Sequence, residues 1–223
     1  MTETVITVQG SARSEVEPEQ AVLRFTITAD GPERAPVLAA ATAALDEVSG
    51  TIAAQNSDDG PVSRWSADRV WVSSHRPWTN DGTPAALVHQ ASASGRATIS
   101  SIDGVAPLVD ALAAIELVTI DSLEWSLTDA RLELERREVR ARAVAAARAK
   151  AEVLAESVGL GSLTPLALAD PGMLDGTGGG AVPMPRMEHA VMKASAPHGD
   201  AGFSLRPEPI VIEVAVDARF SAR

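Results

Sequence analysis

The 223-residue chain contains no cysteine. That removes disulfides, zinc–thiolate centres and thiol nucleophiles together. It has no tyrosine either, and aromatic residues make up only 3% of it. A core must therefore be assembled from Val, Leu, Ile and Ala, with Trp65, Trp71, Trp78 and Trp125 as isolated anchors. Positive charge is scarce: 19 Lys and Arg stand against 30 Asp and Glu, a net charge of −11. Phosphate backbones and anionic bilayers are bound through basic footprints, so this balance argues against nucleic acid and membrane surfaces as partners. The cations are almost all Arg, with Lys only at Lys150 and Lys193. Met1-Thr2-Glu3-Thr4-Val5 has neither the basic start nor the apolar run of a secretory signal. No stretch reaches the ~20 consecutive apolar residues of a spanning segment. The expectation is a cytoplasmic chain without a membrane span.

What is present is ordinary globular material. Hydrophobic residues are 45% of the chain, enough for a core, and the length suits a single domain over 1–223 or two small intertwined subdomains. Residues 4–9 are β-branched and predict a strand closed by Gly10. Leu23, Phe25 and Ile27 alternate with Arg24, Thr26 and Thr28, the pattern of a half-buried strand. Val37, Leu38, Ala41, Ala44, Leu45, Val48 and Ile52 keep helical spacing over 33–55. A β region over 62–75 and a strand over 86–100 flank a turn at Asn80-Asp81-Gly82, which predicts a hairpin with a broad loop. Asp103 is placed to cap a helix over 104–116. Residues 117–128 return to strand pattern, with a bulge near Asp121-Ser122 to reconcile the broken alternation. A long helix over 129–158 has Asp129 as its expected N-cap, and Leu132, Val139, Ala143, Ala147, Leu154 and Val158 follow its period. Glu133–Arg137 and Glu138–Arg142 are its expected ion pairs, and Gly159 its stop. A short strand over 163–169 and a strictly alternating strand over 208–220 complete the pattern. The residues between, 170–207, are rich in Gly, Pro, Met and His and read as a mobile loop. The order predicts an α+β fold, with an antiparallel or mixed β-sheet and helices packed on one face.

Several of these stretches occur together in one known family. Ile6-Thr7-Val8-Gln9-Gly10-Ser11-Ala12 followed by Val16-Glu17-Pro18-Glu19, the alanine-rich run Ala39–Leu45, the helix Ala141–Ala155 containing Ala147-Arg148-Ala149-Lys150-Ala151-Glu152, and the closing Ile212–Phe220 strand resemble the SIMPL-domain family. The resemblance covers about residues 4–169 and 208–221. It implies a βαββαβα-type α+β fold and a role in binding or assembly. Some bacterial members form large hollow or ring-like oligomers, several are exported and linked to oxidative-stress tolerance, and a mammalian member is a kinase-associated adaptor. The resemblance implies no catalytic residue and no cofactor, and self-association as a homo-oligomer becomes the leading expectation. The missing export signal and the idiosyncratic 170–207 loop depart from the family's pattern.

Read for chemistry, the residues offer little. Gly176-Thr177-Gly178-Gly179-Gly180 lacks the Lys-Ser/Thr and the strand-to-helix setting of a phosphate loop. Ala91-Ser92-Ala93-Ser94-Gly95 is not a nucleophile elbow. No pair of carboxylates stands in an apolar setting, so a catalytic role is not expected. Met184, Met187, His189, Met192 and His198 combine thioether and imidazole, a soft donor set suited to Cu(I) or to oxidant sensing; gap-filling by Met is the plainer reading. His75 and His89 lie on opposite arms of the predicted hairpin and could face each other. Trp78, beside the hairpin tip, is a candidate interface anchor. Arg137 and Arg140 on the charged helix 129–158 are candidate contacts for a docked partner, the reading in which the chain is a monomeric adaptor.

Overall fold

The computed structural model describes residues 4–57, 59–77, 86–174 and 206–223. In chain order its elements are β1 (Thr4–Val16), β2 (Gln20–Gly31), α1 (Arg34–Gln55), β3 (Val62–Ala67), β4 (Trp71–His75), β5 (Val88–Ile99), α2 (Val105–Ala113), β6 (Val118–Ser126), α3 (Asp129–Ser157), β7 (Leu163–Ala169) and β8 (Ile210–Ala222). This is the expected α+β class, with every strand pairing antiparallel. The described residues cluster into two compact units. One holds β1, α3, β7 and β8, and the other holds the elements from β2 to β6.

The first unit is a three-stranded sheet in the order β1-β8-β7 with α3 on one face. β1 and β8 pair along their whole length, from Thr4 opposite Ala222 to Val16 opposite Ile210. Gly10 therefore does not close a strand; it sits inside one. A Cβ there would collide with the Ala143 carbonyl oxygen and the Ala147 nitrogen of α3, so glycine marks the point where helix backbone meets strand backbone. The same proximity sets the face of the helix. Glu135, Val139, Ala143, Ala147, Ala151 and Ala155 form its buried stripe, four residues apart, and the alanines pack on Ile6, Val8, Val216, Ala218 and Phe220. Leu154 and Val158, expected on that face, are 44% and 66% exposed. The N-cap is Thr128 rather than Asp129: the Thr128 hydroxyl accepts from the Arg131 amide at 3.3 Å, and Asp129 lies in the first turn, where its charge suits the helix dipole. Glu133 pairs with Arg136, not Arg137, and Arg148 with Glu152. Gly159 takes a positive φ of 79° just past the last turn, as its position predicted.

The second unit is a five-stranded sheet in the order β3-β5-β2-β6, with β4 pairing the outer half of β5 beside β3. Leu23, Phe25 and Ile27 are fully buried, and Val37, Ala41, Ala44, Val48 and Ile52 of α1 join them in one core together with Val105, Leu108, Val109 and Leu112 of α2. Among the described residues α1 alone is long and apolar enough to cross a bilayer by length and composition; its alanines make it so, and the stripe just named packs on the sheet. The hairpin arm over 62–75 is two short strands, broken at Asp68-Arg69-Val70. Asp103 lies in a short 3-10 turn, Ile102–Gly104, and gives α2 no side-chain cap. The bulge at Asp121 is present: Arg24 pairs with Ser122 but Phe25 with Ile120, so Asp121 is the extra residue.

Candidate functional site

Trp78 and the soft-donor set Met184, Met187, His189, Met192 and His198 lie outside the described residues, as does the Gly176–Gly180 run. Arg137 and Arg140 are both exposed on α3. The outer surface of that helix is not purely charged, because Leu134, Val153 and Leu154 are exposed on it too, and Val158 just past its end.

The two hairpin histidines do not face each other. Ser74 pairs with His89 and His75 with Val88. Directly opposed residues share a face of the sheet, so His75 and His89 point to opposite faces. What the pairing does produce is a hydrogen bond between Ser74 Oγ and His89 Nδ1 at 2.7 Å. A nucleophilic serine needs a base that is itself oriented by a third group, and an oxyanion site beside it. No carboxylate contacts His89 among the described residues, and the pair is exposed. Nor do the described residues hold a group of three or more His, Asp or Glu with metal-binding geometry. An open groove of about 460 Å³ is lined by Leu45, Ser49, Trp65, Ser66, Ala67, Asp68 and Arg69; among the described residues its lining has one aromatic, Trp65, and two ionisable groups, Asp68 and Arg69.

Two other features are better defined. The first is the hairpin edge. β4 pairs only with β5 among the described residues, and Trp71 on it is 56% exposed, although its strand pattern suggested an anchor within the sheet. The second is the face of the five-stranded sheet turned away from α1 and α2. Period-2 alternation puts Arg24, Thr26 and Thr28 of β2 there, and the register brings Arg96, Ser94 and Ser92 of β5 directly opposite them. Ser66 lies beside Arg96, and Arg64 one row further along β3. On the other side Ser122 and Thr119 of β6 continue the rows. Three arginines on adjacent strands thus share a field of hydroxyls. Arg24 has a carboxylate neighbour, Glu124, at 3.6 Å, and Asp121 accepts instead from the Thr26 hydroxyl at 2.7 Å. Arg64 and Arg96 have no carboxylate partner among the described residues. The sequence carried half of this signal: the outward alternation of Arg24 is plain, but nothing in the linear order says that Arg96 stands across from it.

Open antiparallel sheets backed by helices define an α+β protein. The chain matches the family model SIMPL, described as a protein of unknown function (DUF541), over residues 6–220. It belongs to the SIMPL family, and the match runs through elements of both units. No curated protein matches the chain.

Proposed function

We propose that the chain works by self-association rather than catalysis, and that the hairpin edge of the five-stranded sheet supplies the contact. The observation that carries this is Trp71: a large aromatic residue, 56% exposed, on a five-residue edge strand with no neighbour beyond it among the described residues. An unpaired edge is a template for another strand unless something covers it, and buried Trp residues dominate contact energies where they occur. Trp78, the interface anchor expected from the sequence, follows β4 in the chain and lies outside the described residues. The test is the solution mass of Trp71→Ser and Trp78→Ala chains by light scattering coupled to size exclusion. Each substitution lowers the mass of the assembly while circular dichroism stays unchanged; an assembly mass indifferent to both overturns the assignment of the edge.

A second reading has its own support. The exposed Leu134, Val153 and Leu154 on α3 share its surface with Arg137, Arg140 and other charges, the mixed surface of a helix that docks a partner. In that reading the chain remains a monomer, and charge reversal at Arg137 and Arg140 abolishes a binary complex without altering the chain's own mass.

A further inference from the structure

Arg24 and Arg96 are register partners on neighbouring strands, their side chains on the same face. Like charges directly opposed across a sheet are destabilising, and in a chain of net charge −11 acidic residues are plentiful enough to neutralise such a pair. Among the described residues only Glu124 is recruited, and it meets Arg24. Arg64 lies diagonal to Arg96 across the β3–β5 pair, a separation of roughly 7 Å in a regular sheet. Around the exposed arginines this face carries mainly hydroxyl groups, with Val22 and Glu124 standing in the row of Thr98 and Arg64.

We propose that this arginine and hydroxyl face binds an acidic peptide segment of another protein, laid extended across the sheet. Side chains two residues apart on an extended peptide are spaced by roughly 6.6–6.8 Å, close to the spacing of Arg64 and Arg96, so alternate Asp or Glu residues meet these two arginines. Guanidinium groups receive carboxylates through two parallel N–H donors, and the serine and threonine hydroxyls can bond the peptide's own amides. A free small anion gains little on so open a surface. A long polyanion such as nucleic acid extends past the three arginines into the field of an acidic protein. This face is distinct from the edge invoked for self-association, and the proposal does not depend on that reading.

The experiment is fluorescence anisotropy of the full chain with a labelled peptide of alternating Glu and Ser, beside its Gln-for-Glu counterpart and a single-stranded DNA decamer, at low salt. Binding is expected to the Glu peptide alone, to weaken on raising the salt to physiological strength, and to fall about tenfold or more in Arg96→Gln and in Arg64→Gln. Arg142→Gln, an exposed arginine on the other unit, leaves it unchanged. The proposal is overturned by no binding, by equal binding of the Gln peptide, or by equal losses in Arg142→Gln. DNA binding that depends on Arg96 and matches that of the peptide would make the face a general anion surface and overturn the peptide assignment. A drop in solution mass in Arg96→Gln without any peptide binding would make the occupant a second copy and overturn it equally. Arg96→Lys keeps the charge but loses the paired donors, and is expected to recover only part of the affinity.

Discussion

Gly10 shows how a single residue can set the distance between two elements. Its missing side chain lets the backbone of α3 come down onto β1 at Ala143 and Ala147. Gly10→Ala has to push the helix away from a core that is otherwise closely filled, and is expected to destabilise the chain by about 1–3 kcal/mol, as overpacking does elsewhere; urea denaturation reads the shift in midpoint. Glu135 is the other residue with a sharp consequence. Its side chain is 7% exposed and bonded to Arg131 at 2.7 Å, with the Ser14 hydroxyl at 3.5 Å and Val139 next along the stripe. Removing only the cation leaves a buried carboxylate without its partner, whereas replacing the carboxylate by an apolar side chain removes the need for one. Arg131→Ala is therefore expected to lower stability by about 1–3 kcal/mol, and Glu135→Leu to be neutral or stabilising. Equal losses from both substitutions in urea would show that the pair is a net attraction and not a compensated burial.

At the scale of elements, the strong periodic segments were legible and their ends and contact faces were less so. The alternation of Leu23, Phe25 and Ile27 predicted both the strand and its buried face, and the broken alternation at Asp121 predicted the bulge the register contains. The buried face of α3 is legible in part: Val139, Ala143 and Ala147 keep the period and are buried, but the helix lies so close to β1 and β8 that alanines fill the rest of the stripe, and Leu154 and Val158 are left outside. Its N-terminus was misplaced by one residue because Thr128 and Asp129 are both good caps, and only the fold decides which hydroxyl or carboxylate reaches the Arg131 amide. Thr128→Ala is accordingly expected to cost about 1 kcal/mol and Asp129→Ala less, measured as shifts in the same denaturation midpoint. The candidate contacts were legible only as residue types. Arg24 was visible as an outward residue, but its confrontation with Arg96 depends on which strands pair and in what register. His75 and His89 illustrate the converse: both are on the predicted hairpin, and a one-residue offset in pairing turns them to opposite faces.

For the whole molecule, the family match over residues 6–220 joins two units that each carry an open sheet. Open edges differ in how well they are guarded. β7 carries Pro165 and an irregular register beside it, β6 a bulge at Asp121, and both features discourage a further strand. β1 and β4 carry neither, and of the two β4 presents an exposed aromatic, Trp71. The central claim, that the protein acts as an assembly built through that edge, is tested most directly by the solution mass of the intact chain, measured by light scattering across a tenfold range of concentration. A mass several times 23.2 kDa that persists on dilution and falls in Trp71→Ser is the predicted result. A mass of one chain at every concentration would contradict it.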